Sequence, residues 1–122
     1  MNLKEYFSQN SGTAILATAD SDGRVDAAVY SKPHVIEEDT IALLMSNRLS
    51  HANIQHNPYA CYLFKQEGPG WQGIRLYLKM IDEESNTDRA RSLVRRHNVD
   101  VENLDVCLVY FQVEKTLPLV GS

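Results

Sequence analysis

Short runs in which apolar and polar positions alternate dominate this chain, and only brief stretches keep helical spacing. Leu3, Tyr6 and Phe7 share one helical face after Asn2, a good capping residue, so a short helix is expected to open the chain and to end at Ser11-Gly12. Residues 13–19 read as a strand of small and β-branched side chains. Asp20-Ser21-Asp22-Gly23 reads as a turn, and 25–31 as the returning strand of a hairpin. On that strand Val25, Ala27 and Val29 share one face, and Asp26, Ala28 and Tyr30 the other. Pro33 has no N–H to give a ladder, which puts the strand at an edge or a bend.

Glu37-Glu38-Asp39 is a solvated turn, and 40–46 is a strand apolar throughout, as expected where both faces are covered. A helix over about 50–56 follows and is stopped by Pro58. Residues 59–66 alternate again, Gly68-Pro69-Gly70 breaks the pattern, and 74–81 place Ile74, Leu76, Leu78 and Met80 on one face. Thr87 caps a helix predicted over 88–97, acidic early and basic late, with Ala90, Leu93, Val94 and His97 as its inward stripe. Residues 106–113 form the last strand, and the apolar tail Leu117-Pro118-Leu119-Val120 is expected to dock. Six antiparallel strands with few helices point to a small β-barrel with helices at its ends, closed so that exposed edges disappear.

Composition narrows the function classes. The 122 residues fit one domain, and 43% apolar with 23% charged residues is ordinary for a globule. A formal net charge of -4 argues against a general nucleic-acid binder. No apolar stretch approaches the roughly 20 residues that span a bilayer. The start, Met1-Asn2-Leu3-Lys4-Glu5, lacks the apolar core of a signal peptide, so a cytoplasmic location is expected. Cys61 and Cys107 lie in apolar, strand-like runs and are read as buried free thiols rather than a disulfide.

The most telling segment runs from Ile41 to Pro58. An apolar strand gives way to Ser46-Asn47-Arg48-Leu49-Ser50, and a short helix then begins. Backbone N–H groups after Leu49, the Ser50 hydroxyl and the Arg48 guanidinium thereby gather at one helix N-terminus, a place suited to phosphate. The plainer alternative is that Ser50 caps the helix and Arg48 is solvated. Trp71-Gln72 follows the glycine break; the indole either stacks on a planar ring, anchors an interface or covers the barrel's end. Tyr30 and Lys32 fall beside the same corner if their strand neighbours 40–46, and are ordinary exposed strand residues otherwise. His51 and His56 point about 140° apart on a helix and cannot share a metal, so no metal site is expected. Arg89, Arg91, Arg95 and Arg96 read as a solvated helix face. No nucleophilic triad or glycine-rich phosphate loop of standard spacing is present, so any reactive chemistry would belong to a cofactor.

The strand Ala14-Ile15-Leu16-Ala17-Thr18-Ala19, the turn after it, and the run from Ile41 through Ser50-His51-Ala52-Asn53-Ile54 to Asn57-Pro58 resemble the pyridoxamine 5'-phosphate oxidase-like family. In size the chain is similar to the small FMN-binding proteins of that group. The resemblance implies a mainly β (α+β) fold: a six-stranded antiparallel split β-barrel with two to three short helices, homodimeric, with non-covalent FMN at the subunit interface. It implies that Ala28, Val29 and Tyr30 lie along the isoalloxazine ring, and that Met45, Ser46, Asn47, Arg48, Ser50 and Asn53 hold the phosphate. It also implies that Gln72 reaches the ring edge and that Trp71 approaches from the partner subunit. Many members carry Arg-Lys or Lys-Thr where this chain has Leu49-Ser50, with Arg48 the nearest replacement. The C-terminal Trp and Arg segment of a true vitamin B6 oxidase is missing, so oxidation of pyridoxamine phosphate is not expected. The implied function is an FMN-dependent oxidoreductase passing hydride or electrons to a small acceptor. The alternative is a non-catalytic flavin, heme or deazaflavin carrier or redox sensor on the same scaffold.

Overall fold

The computed structural model describes residues 1–46, 48–94 and 105–121. Their elements run α1 (Leu3–Gln9), β1 (Gly12–Ala19), β2 (Val25–Tyr30), β3 (His34–Glu37), β4 (Thr40–Ser46), α2 (Leu49–His56), β5 (Tyr59–Gln66), β6 (Gly73–Ser85), α3 (Asp88–Ser92) and β7 (Val106–Pro118). The strands form one antiparallel sheet in the order β2-β1-β5-β6-β7-β4-β3. The described residues therefore hold seven strands, where six were expected. The additional strand, β3, pairs His34 with Ala42 and Val35 with Ile41 before a bulge near Glu37. Four residues directly after Pro33 carry too little alternation to mark a strand from sequence; pairing with the apolar β4 creates it.

Alternation along each strand builds the core. Leu16 of β1, Tyr62 and Phe64 of β5, Leu76 and Leu78 of β6, Val109 and Phe111 of β7, and Ile41 and Leu43 of β4 all point into one cluster. Strands at opposite sides of the sheet share that cluster only because the sheet curls round on itself. The ladder ends at β2 and β3, and no pairing joins those two among the described residues. The barrel is thus split rather than closed, and two edges remain. Tyr62 donates its hydroxyl proton to the Ser31 carbonyl at 2.8 Å, pinning the link across the split. On the outer face of β4 and β7, Ala42, Val106 and Leu108 pack on Ala90 of α3, so β4 is covered on both sides as its composition implies.

The helices close the ends. Asn2 accepts from the Glu5 N–H at 3.1 Å and caps α1, which inserts Leu3 and Phe7 into the core; Phe7 meets Phe64 edge-on at 5.2 Å between centroids. Lys32 Nζ donates to the carbonyls of Phe7 and Asn10 at 2.8 and 3.2 Å, so it serves the C-terminus of α1 rather than a ligand site. At the other end α2 buries Ile54, and Asn53 Nδ2 donates to Thr18 Oγ1 of β1 at 3.0 Å. Thr87 caps α3 by accepting from the Ala90 N–H. That helix stops at Ser92, short of the expected His97, because Leu93 bonds back to Ala90 in a tightened last turn. Arg95, Arg96 and His97 lie outside the described residues.

Strands β6 and β7 run further than their apolar patterns indicate. The tail does dock: Leu117 and Pro118 pair with Arg75 and Ile74. Past Met80 the ladder shifts register before Asp82, and charged Asp82, Glu83 and Glu84 continue the strand. Both cysteines are free; burial pushes the Cys61 thiol above its ordinary value, partly offset by Arg75, and Cys107 is buried.

Asn53 and Thr18 are both buried, so Asn53→Ala would leave the threonine hydroxyl without its donor. The expected cost is about 1–3 kcal/mol in urea denaturation. An unchanged midpoint would show that packing of Ile54 alone seats α2.

Candidate functional site

The start of α2 is set by the exit from β4. Arg48 N–H bonds to the Ser46 carbonyl at 2.8 Å, a tight corner, and Arg48 itself is the N-cap with extended backbone and no side-chain capping bond. Ser50 is therefore not the cap; it is the second residue of the helix. The ladder begins with Ala52 N–H on the Arg48 carbonyl at 2.9 Å. The amides of Leu49, Ser50 and His51 consequently have no acceptor four residues back within the helix, at its positive end.

A cleft of about 480 Å³ opens between this helix start and β2. Ala28, Val29 and Tyr30 form one wall, Met45 and Ser46 the floor, and Arg48 with Ser50 the polar corner. Leu44, Leu93, Val94 and Val106 supply an apolar wall from the α3 side. An apolar cleft with a few convergent polar groups, in this size range, is the usual form of a small-molecule site. A second cleft, of about 510 Å³, lies between the chain start and β3, lined by exposed Lys4, Glu37 and Glu38 among others.

The structure thus gathers Ala28, Val29, Tyr30, Met45, Ser46, Arg48 and Ser50 around one hollow. Asn53 is not among its lining residues; its amide is spent on Thr18, so its role is to seat the helix. Trp71 and Gln72 lie in the β5–β6 loop, away from this cleft in the same chain. The indole is 71% exposed with Lys65 Nζ 5.4 Å from its ring centroid, so it does not cover the barrel's end. Gln72 uses its carbonyl to receive the Gln66 N–H at 2.8 Å. Asn47 lies outside the described residues.

Asp26 is the residue that reading by motif missed. Its carboxylate accepts from the Ser50 hydroxyl at 3.4 Å and lines the same cleft. The signal was available, since Asp26 shares the face of Ala28 and Tyr30. Burial pushes the Tyr30 phenol above its ordinary value; the Ser50 hydrogen bond lowers it in part, and the Asp26 charge raises it further. Tyr30 therefore stays protonated through neutral pH and offers a donor, not a base. The corner as a whole sets one cation and the helix N-terminus against one carboxylate.

No protein-family model and no curated protein matches the chain. Solved structures do. An FMN-binding protein from Syntrophomonas wolfei superposes with a TM-score of 0.78 at 23% identity, covering 99% of this chain and 86% of that one. A candidate pyridoxamine 5'-phosphate oxidase from Lactobacillus delbrueckii gives 0.70 at 14% identity, over 95% and 89% of the two chains. HutZ, the heme storage protein of Vibrio cholerae, gives 0.67 at 16% identity, over 97% and 95%. With the split sheet, the capping helices and the order of strands, these likenesses show the fold: the chain is a split β-barrel, the fold it shares with an FMN-binding protein and a candidate pyridoxamine 5'-phosphate oxidase.

Proposed function

We propose that the cleft beside α2 binds FMN and that the protein works as a redox flavoprotein. The observation that carries this reading is the meeting, in one hollow, of an anion-suited helix start with the β2 residues Ala28, Val29 and Tyr30 that line its wall. The fold shared with an FMN-binding protein supports it. The residues present fit the group in kind. The first-turn amides of α2, the Ser50 hydroxyl, Arg48 and Ser46 would hold the phosphate, and β2 would lie along the ring. Asn47 is proposed for the same corner. When bound, FMN supplies hydride and electron transfer, so no side-chain acid or base is required of the chain.

The chain's own residues have three tasks in this reading. Arg48 and the helix start fix the phosphate. The apolar wall of Leu44, Leu93 and Val94 keeps water from the ring. Tyr30, held protonated, donates a hydrogen bond into the cleft. Trp71 and Gln72 are not among the residues that line this cleft, so they are proposed to act on the cleft of a second copy. Val25 and Val29, 83% and 74% exposed on the edge strand β2, offer apolar surface for that homodimer. A cytoplasmic location and a small redox partner complete the proposal; pyridoxamine phosphate is not the proposed substrate.

A second reading, a non-catalytic carrier or a heme-binding protein, draws on Asp26. A carboxylate beside the phosphate corner weakens the grip on a dianion, and a heme storage protein shares the fold. Mixing FMN-loaded protein with NADH or NADPH without oxygen separates the two. Bleaching well above the rate of free FMN supports the redox enzyme; no acceleration, with tight heme uptake, supports the carrier.

The two charges at the corner give opposed expectations for FMN affinity. Arg48→Ala should weaken binding roughly tenfold to a hundredfold, the loss of one charge-assisted hydrogen bond of about 1.5–3 kcal/mol. Asp26→Asn should strengthen it by about 1–2 kcal/mol, or roughly fivefold to thirtyfold, by removing a like charge at partly screened distance. Titration of flavin fluorescence reads both, and equal affinities in all three proteins would move the phosphate elsewhere.

A further inference from the structure

Beneath α2, on the barrel's inner side, three different donors converge from three elements. His51 Nε2 lies 2.8 Å from Glu83 Oε2, and Cys107 Sγ completes a group whose ligand atoms all fall within 4.8 Å of one another. The bulge in β6 creates the arrangement. Before it, even-numbered residues face the core, as Met80 opposite Phe111 shows. After it, odd-numbered Glu83 and Ser85 stand opposite Val109 and Cys107, which face inward. One shifted residue thus turns a glutamate toward the barrel end, where the first turn of α2 lowers His51 onto it.

We infer that His51, Glu83 and Cys107 form a binding site for a zinc-like divalent transition-metal ion. An imidazole, a carboxylate and a thiol are the donor types that zinc takes, and three protein ligands leave a fourth position open. An ion pair would account for His51 and Glu83 but makes no use of the thiol beside them. Charge also favours the ion. Two side chains 12% and 26% exposed and a buried cysteine set carboxylate and thiolate against one dication, giving a neutral half-buried centre. On binding, the thiol gives its proton to solvent and a metal–sulfur bond takes its place. To admit an ion, His51 Nε2 and Glu83 Oε2 must part by a few tenths of an ångström and Cys107 Sγ must approach, small movements that side chains on α2 and two strand ends allow. Ser85 Oγ, 3.4 Å from Cys107 Sγ, stands ready to orient the sulfur, and the Gln55 amide, 3.3 Å from His51 Nε2, must yield its contact to the ion. The site shares no side chain with the cleft proposed for FMN; His51 offers its imidazole here and only its backbone N–H there.

Zinc and cobalt(II) chloride are the probes, added to the full chain as purified. Calorimetry is expected to show one zinc per chain with a dissociation constant below about 1 µM. Cobalt(II) difference spectra are expected to show a thiolate charge-transfer band with tetrahedral visible bands. Cys107→Ser should abolish the charge-transfer band, and Glu83→Gln should weaken zinc at least about tenfold. Melting curves of the metal-free variants show whether each is folded, and His51→Gln provides a further arm if either is not. Absence of zinc binding by the wild-type chain overturns the inference. So does zinc binding that survives the substitutions unchanged, which would place the ion on surface groups.

Discussion

The position of α2 rests first on one fully buried hydrogen bond, Asn53 Nδ2 to Thr18 Oγ1, and on the burial of Ile54, with the part-buried contacts of Ser50 to Asp26 and His51 to Glu83 beside them. An eight-residue helix is too short to hold itself in water and takes its stability from what it packs on. Thr18 is the inward residue at the far end of β1, so the bond sets where along the barrel the helix sits. That in turn fixes where its first turn points: at β2 on one side and at the end of β6 on the other. The cleft residues and the His51 cluster both depend on where that attachment seats the helix.

Charge at the helix start is balanced closely. The positive end of the helix and Arg48 favour an anion; Asp26 opposes it from the facing strand through Ser50. Such a corner binds a phosphate less firmly than one with a lysine in place of Ser50, and leaves more of the affinity to contact along the ring. On the inner side the same helix presents His51 to a carboxylate and a thiol, where the surplus is negative. As proposed, one short helix faces an anion site and a cation site from a single turn, with no side chain common to the two.

Much of this was legible in the sequence, and the parts that were not share a cause. Small and β-branched residues marked β1, unbroken apolar character marked β4, and alternation marked β2, β5 and the apolar part of β6. An apolar run marked the start of β7, and the corner from Ser46 to Ser50 stood out by residue type. The edge strand β3 escaped because four residues after a proline gain their strand character from pairing alone. The last four residues of β6, 82–85, escaped because a bulge changes its phase among acidic residues, and pattern reading assumes one phase per strand. Asn53 matched a motif position, yet its amide is turned to the barrel, a direction that spacing does not encode. Asp26 and Glu83 became site residues only when the chain brought other elements against them. His51 was weighed against His56 on its own helix, while its partners lie on β6 and β7, 32 and 56 positions further along the chain.

The central claim is that the start of α2 recognises a phosphate. Comparing FMN with riboflavin on the wild-type protein tests it most directly, since the two share the ring and differ in that group. FMN is expected to bind roughly tenfold to a hundredfold more tightly, with the advantage shrinking as salt is raised. Equal affinity for both at low salt would contradict the account.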